Sequence, residues 1–361
     1  MKDRTKRLLK ITAASIIKND AAIEGAKTAP WWIAVVMFII GNFLPIIPIM
    51  VNASKTYGAQ FISGNTYGYD QALASVSYDL GKADSPYKLE VKEQQLLAYK
   101  DGNALVDTWN EDADLTPIAT YDAVTENSTT RYLSVYYTDR PFGKGVYSVK
   151  QMIKSIEAKK LKLGTVEEYD PSSEDLSYTP SYLILYKDGM YSKIYKASTE
   201  KKQNVASSVT YTGMDWKHNE DMDLIQNVLK VEGIEANLAN LDYVQAVINN
   251  WKEVFNNGYK NQKVLTFWAT SGIYYGIYLA LGIFMGLMMF LLTRGKNNPN
   301  RNLNMWITCK ISAWITFTPA VLAMAVAFFW SAAAGIGFIV LMGLRTMWLA
   351  MRQLNPVQQQ Q

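Results

Sequence analysis

Apolar positions are concentrated at the two ends of the chain, and a long polar segment separates them. Residues 265–293 contain no charged side chain across 29 positions. Because roughly 20 apolar residues at 1.5 Å each cross a bilayer core, this run predicts a transmembrane helix. Similar runs at 30–51, 305–330 and 332–351 predict three more. The pattern therefore predicts an α-helical bundle of four transmembrane helices.

The segment between the first two spans, residues 52–264, mixes strand and helix signals. Short runs rich in β-branched and aromatic residues predict strands at 96–99, 104–109, 131–137, 182–186 and 190–195. Apolar residues recur with a helical period at 149–161, 221–231 and 238–255. These signals predict an α+β domain inserted into the bundle.

Two Lys-Asp-Gly sequences, at 100–102 and 187–189, predict tight hairpin turns, because glycine accepts a positive φ. They belong to a weak similarity between 97–115 and 185–224, which a true repeat and coincidence explain equally well. The last helix of the domain is expected to run on into the second span, with a break at 256–258.

The distribution of charge predicts the orientation of the chain. Residues 1–30 carry seven Lys or Arg and three acidic residues, and the loop 294–304 carries three basic residues and no acidic one. Residues 52–264 carry 23 basic and 29 acidic residues, a net charge of −6. Short cytoplasmic loops are enriched in Lys and Arg. Both termini and 294–304 are therefore expected in the cytoplasm, and 52–264 outside the membrane.

The N-terminal segment, 1–29, is basic and partly amphipathic. It is interpreted either as a helix on the anionic inner leaflet or as an orientation signal alone. The apolar run that follows has 21 residues, whereas the apolar region of a signal peptide has about 7–15. This length favours an uncleaved anchor. Pro45 and Pro48 near the outer end of this span are candidate helix kinks.

Four glycines in the second span form two pairs at four-residue spacing. Without side chains, such pairs allow a neighbouring helix to approach closely. The neighbour is either a partner protein or another helix of the same bundle. The four candidate packing residues are Gly272, Gly276, Gly282 and Gly286.

Two basic residues, Lys310 and Arg345, interrupt the third and fourth apolar runs. Both lie near the predicted cytoplasmic ends of their spans, where long basic side chains reach the interface. The four spans contain neither Asp nor Glu, which argues against an ion-coupled transporter.

Catalytic and metal-binding patterns are missing from the sequence. One cysteine and one histidine are too few for a zinc site, and the acidic clusters at 111–114 and 220–223 lack the spacing of a calcium-binding loop. No cofactor, enzymatic activity or nucleic-acid partner is therefore expected. Trp109 and Trp216 are candidate aromatic platforms for a sugar ring outside the membrane.

The third span carries Lys-Ile-Ser-Ala-Trp at 310–314 and Thr-Phe-Thr-Pro-Ala-Val-Leu at 316–322. This stretch, with the overall layout, resembles the bacterial maltodextrin-utilisation accessory membrane proteins, a family of poorly defined function. The resemblance implies a role beside a carbohydrate ABC importer and a helix kink at Pro319. It carries over no catalytic residue.

Three functions remain as hypotheses. The first is a non-enzymatic accessory or regulatory subunit of a membrane complex, with an ABC permease or solute-binding protein as partner. The second is a sensor in which residues 52–264 bind a ligand and move the membrane helices. The third is a transporter that acts alone in the bilayer.

Overall fold

The chain consists of two compact units. The computed structural model describes residues 2–62, 68–105, 116–124, 129–143, 148–163, 181–195, 208–219, 222–296, 298–330, 333 and 335–354. One unit, here called the bundle, comprises residues 1–55 and 265–361. The other, here called the inserted domain, comprises residues 56–264.

Helices occur in both units. The described α-helices are α1 Lys2–Ser15, α2 Asn19–Thr28, α3 Trp31–Phe43, α4 Ile47–Lys55, α5 Tyr69–Leu80, α6 Val149–Leu163, α7 Leu224–Leu229, α8 Leu241–Leu292, α9 Met305–Ile315, α10 Phe317–Phe329 and α11 Gly337–Leu349. A 3₁₀ turn, Leu44–Ile46, joins α3 to α4, and a π-helical turn, Ala350–Leu354, follows α11.

Three helical stretches among the described residues are long and apolar enough to cross a membrane. They are α3 with α4, at Trp31–Lys55, α8, at Leu241–Leu292, and α9 with α10, at Met305–Phe329. The fourth predicted span is not among them, because α11 has only 13 residues before the helix changes to a π-helical turn.

The N-terminal segment forms two helices, α1 and α2, that pack into the bundle. Ala22 and Ala26 of α2 are fully buried in the same apolar cluster as Trp314 of α9. Gly25 lies directly against the Trp314 ring, and a Cβ at this position would lie 3.0 Å from the ring atoms. The small residues of α2 therefore allow close contact with α9, and this segment contributes to the core of the bundle.

The inserted domain contains two separate sheets. The described strands are β1 Tyr87–Lys92, β2 Gln95–Lys100, β3 Asn103–Ala104, β4 Ala119–Val124, β5 Thr129–Thr138, β6 Ser181–Tyr186, β7 Gly189–Tyr195, β8 Ser208–Asp215 and β9 Met222–Asp223. The first sheet has the order β3-β2-β1-β9 and the second β4-β5-β6-β7-β8. All pairs are antiparallel except β5 with β6, which are parallel and flank α6 in sequence.

The strands and turns predicted from the sequence are confirmed where the structure describes them. The β2–β3 turn uses Asp101 and Gly102, both with positive φ, and β6 and β7 are joined at residues 187–188. The predicted strand at 104–109 overlaps β3 only at Ala104, because Leu105 is not part of a strand. Residues 106–110 lie outside the described part. The two Lys-Asp-Gly turns belong to different sheets.

The expected helix break at 256–258 does not occur, because α8 continues through it to Leu292. Asn256 instead accepts a hydrogen bond of 2.7 Å from the backbone N–H of Ala59. Gly258 packs so closely on β8 that a Cβ would lie 2.8 Å from the Met214 sulfur. The polar and small residues thus serve contacts within the inserted domain.

Candidate functional site

A polar cavity of ≈ 170 Å³ lies in the inserted domain, beside α7 and the first part of α8. Half of its lining side chains are amides. The lining residues are Asn219, Met222, Asn227, Val228, Asn250, Glu253, Val254 and Asn257. The cavity is open to the surface, since Asn227 and Glu253 are exposed.

Two of the asparagines are held in place by hydrogen bonds to backbone carbonyls. The Asn219 amide donates to Val254 O at 3.2 Å, and the Asn250 amide donates to Val228 O at 2.8 Å. These bonds connect α8 to α7 and to the turn after β8. The cavity therefore has a preformed polar lining, with Asn227 and Asn257 less constrained beside it.

The chemistry of this lining favours a neutral, hydroxyl-rich ligand. Amide side chains both donate and accept hydrogen bonds, as the hydroxyl groups of a polyol require. Glu253 supplies a further acceptor, and no Lys or Arg lines the cavity, which disfavours an anionic ligand. Among the described residues, no group of three or more His, Cys, Asp or Glu could hold a metal ion.

The expectation that Trp216 forms a sugar platform is corrected by its burial. Trp216 is 0% exposed, and its indole N–H donates to Tyr186 O at 3.0 Å. It belongs to the apolar core of the inserted domain and offers no accessible ring face. Trp109 lies outside the described residues, as do 111–114 and the acidic residues 220 and 221.

Buried tyrosines form much of the same core. Tyr211 donates to Phe255 O at 2.7 Å, and Tyr69 and Ser192 share a hydrogen bond of 2.6 Å. Burial raises the pKa of Tyr211 and of Tyr69, so both hydroxyls stay protonated and can donate. In these cases the tyrosines of this domain serve packing.

The four candidate packing glycines divide into two classes. A Cβ at Gly282 would lie 2.3 Å from Phe38, and one at Gly286 would lie 2.8 Å from Cys309. These two glycines pack within the bundle, against α3 and α9. Gly272 and Gly276 are exposed, and a Cβ at either would meet no described atom within 4 Å.

The proline positions coincide with interruptions of the helices. Pro45 lies in the 3₁₀ turn between α3 and α4, and Pro48 lies at the start of α4. Pro319 lies just after the break between α9 and α10. Because proline has no N–H, Pro319 leaves the carbonyl of Ile315 without its helical donor.

Arg345 supplies that missing donor. Its guanidinium donates to Ile315 O at 2.8 Å, to Ser15 O at 2.7 Å and to the Asn19 side chain at 3.2 Å. Ser15 is the last residue of α1, where helical carbonyls lack partners. Arg345 therefore ties α11 to α1, α2 and the proline break, and its expected position at the cytoplasmic interface stays a prediction.

Lys310 contacts the end of another helix. Its ammonium lies 3.4 Å from the carbonyl of Ala29, which caps α2. The side chain is partly buried and also lines a groove between α3, α8 and α9.

The amide cavity was not predicted from the sequence. Its residues come from three separate stretches, and asparagines at those positions resemble ordinary surface or cap residues. The one available signal was the count of asparagines on α8, where Asn249, Asn250, Asn256 and Asn257 occur within nine residues. Comparisons with protein-family models, curated proteins and solved structures found no match.

Proposed function

We propose that this chain is a multi-pass protein of the bacterial cytoplasmic membrane, with four transmembrane helices, both termini in the cytoplasm and residues 52–264 outside. The three long apolar helices and the basic loop 294–304 support this arrangement. For the fourth span, α11 and its π-helical turn cover 337–354, about 27 Å at 1.5 Å per residue. That length approaches the roughly 30 Å of a bilayer core.

Its function, in this proposal, is non-enzymatic: the inserted domain binds a neutral, hydroxyl-rich small molecule, and α8 transmits the binding to the bundle. The observation that carries the proposal is that α8 both lines the cavity and forms a candidate membrane span. Asn250, Glu253, Val254 and Asn257 line the cavity, and the same uninterrupted helix continues to Leu292 as a candidate span. A ligand that reorients α8 at the cavity therefore acts on an element of the bundle.

The binding step is tested by screening mono- and disaccharides and polyols against the purified full-length chain. A ligand of the cavity raises the unfolding temperature, because it binds only the folded state. The variants Asn227→Ala and Asn257→Ala are expected to weaken binding about tenfold each, since each removes hydrogen-bonding groups from the lining. Asn249→Ala, at an exposed position of α8 outside the lining, is the matched control. Equal binding by all three variants would exclude this cavity.

The transmission step is tested with a flexible joint in α8. The double variant Val264→Gly/Leu265→Gly should keep ligand binding and lose the response of the bundle, because two adjacent glycines weaken helix continuity. Cys309 of α9, the single cysteine of the chain, reports on the bundle through its rate of maleimide labelling. We expect ligand to change this rate about fivefold or more in the unmodified chain and not in the variant.

The control for this experiment is Leu241→Gly/Asp242→Gly. These residues begin α8, ahead of its cavity-lining residues, and both are exposed. The control should therefore respond like the unmodified chain. A full response by the 264/265 variant would contradict transmission through α8.

A second candidate function is supported by the open glycine pair. Gly272 and Gly276 share one face of α8 with no described atom opposite them, which suits a helix from another protein. The chain would then be an accessory subunit of a membrane complex. The sequence resemblance points to an ABC importer for maltodextrin or related sugars as its partner.

This second candidate predicts different effects for the two glycine pairs. Gly272→Leu/Gly276→Leu should leave the stability of the isolated chain unchanged and abolish co-purification of partner chains in mild detergent. Gly286→Leu should lower the unfolding temperature, because the new side chain meets the Cys309 backbone. Identical sets of co-purifying chains with and without the 272/276 change would contradict the accessory interface.

A further inference from the structure

We propose that the groove between α3, α8 and α9 binds one anionic phospholipid, with the lipid phosphate paired to Lys310. The groove has a volume of ≈ 150 Å³. Nine of its ten lining residues are uncharged and almost wholly apolar, and Lys310 is the single charged one. An apolar groove with one cation matches a lipid with acyl chains and one negative headgroup.

Small residues create the groove. Gly282 of α8 has no side chain, and Phe38 of α3 lies so close that a Cβ at Gly282 would be 2.3 Å from its ring. Ala34 and Ala313 supply the facing surfaces of α3 and α9. The space above these residues remains open, since the lining residue Ile283 is 54% exposed.

Lys310 is available for an ionic partner. Its recorded bond, to Ala29 O, is long at 3.4 Å and uses one of three ammonium donors. No ion pair joins it to a carboxylate in the part of the chain that the structure describes. An apolar occupant such as a partner helix would bury this charge without compensation, which is costly. A phosphate group would satisfy it.

The depth of Lys310 suits a phospholipid headgroup. Trp31 is the first residue of α3, and Trp306 is the second residue of α9. They are 61% and 58% exposed, and both line the groove. Tryptophan is enriched at the boundary between membrane and water. Lys310 follows Met305, the first residue of α9, by five positions, which is about 7.5 Å along the helix. That distance matches the thickness of one headgroup layer, about 5–8 Å.

The test measures binding of single lipids to the purified full-length chain by native mass spectrometry. The probes are dioleoyl phosphatidylglycerol and dioleoyl phosphatidylcholine, which share their acyl chains and differ in net charge. We expect the first phosphatidylglycerol to bind about tenfold more tightly. Both lipids carry the phosphate that pairs with Lys310, but the choline of phosphatidylcholine adds a positive charge that repels the Lys310 ammonium. Lys310→Gln should abolish this preference and Lys310→Arg should keep it.

A matched control separates a site from general attraction between charges. Lys296→Gln removes the same charge from the exposed loop 294–304 and should keep the preference. Val35→Trp fills the groove, retains Lys310 and should weaken phosphatidylglycerol binding about tenfold. If Lys310→Gln does not fold, Val35→Trp still tests whether the lipid binds in the groove.

Three results would overturn the proposal. The first is an unchanged preference in Lys310→Gln, and the second is unchanged binding in Val35→Trp. The third is displacement of the lipid by millimolar inorganic phosphate, which would assign Lys310 to a free anion. Thermal unfolding of each variant identifies those that are folded and therefore interpretable.

Discussion

Replacing Arg345 with methionine is expected to destabilise the bundle by about 3 kcal/mol, because each buried acceptor left without a donor costs about 1–3 kcal/mol. The substitution would orphan Ser15 O at the end of α1 and Ile315 O at the proline break, and remove the bond to Asn19. Methionine retains much of the apolar stem, so the loss reports chiefly on hydrogen bonding. The measurement is thermal or denaturant unfolding of the purified chain in detergent.

Two further arginine variants sharpen this prediction. Arg345→Lys should recover only part of the stability, since one ammonium cannot reach three acceptors as a planar guanidinium does. Arg352→Met removes an exposed arginine that stacks on Trp348 at 4.3 Å, and should cost less than about 1 kcal/mol. If the methionine variants at 345 and 352 lost equal stability, Arg345 would have no special structural role.

Replacing Trp216 with alanine is expected to destabilise the inserted domain by about 3–5 kcal/mol, the usual cost of emptying a large core site. Trp216 is 0% exposed and belongs to the same apolar core as Tyr211 and Phe255. The loss should appear in circular dichroism as a lower unfolding temperature of this domain. Any effect on ligand binding should follow from unfolding alone.

The control for Trp216 is Tyr57→Ala, at an aromatic side chain of the same domain that is 49% exposed. It should cost less than about 1 kcal/mol, because little surface leaves water there. Trp216→Ala that retained full stability and lost binding of a sugar would restore the ligand-platform interpretation and contradict the core assignment.

The two glycine pairs of α8 have different surroundings, and this difference allows the proposed functions to be tested separately. Gly282 and Gly286 are used within the chain, whereas Gly272 and Gly276 remain available to a partner. The lipid groove next to Gly282 involves residues that neither the amide cavity nor the open pair uses. Ligand transmission, partner assembly and lipid binding can therefore be tested by separate substitutions.

The sequence by itself determined the apolar stretches that form α3, α8 and α9 with α10, and the strands and turns of the inserted domain. These features depend on local properties: the length of an apolar run, β-branched and aromatic content, and glycine at positive φ, as at Gly102. It did not predict β1, β4 or β8, whose stretches contain several charged or polar residues and rely on pairing with neighbouring strands.

The tertiary structure alone decided which residues act together. Arg345 and Ser15 are 330 positions apart, and the amide cavity combines residues from three stretches. The sequence pattern at 256–258 predicted a break, yet Asn256 and Gly258 have partners elsewhere in the fold, so the helix continues. The local sequence indicates which secondary structure a residue prefers in the absence of tertiary contacts. Contacts between distant segments decide whether it lines a cavity, satisfies an orphaned carbonyl or stays exposed.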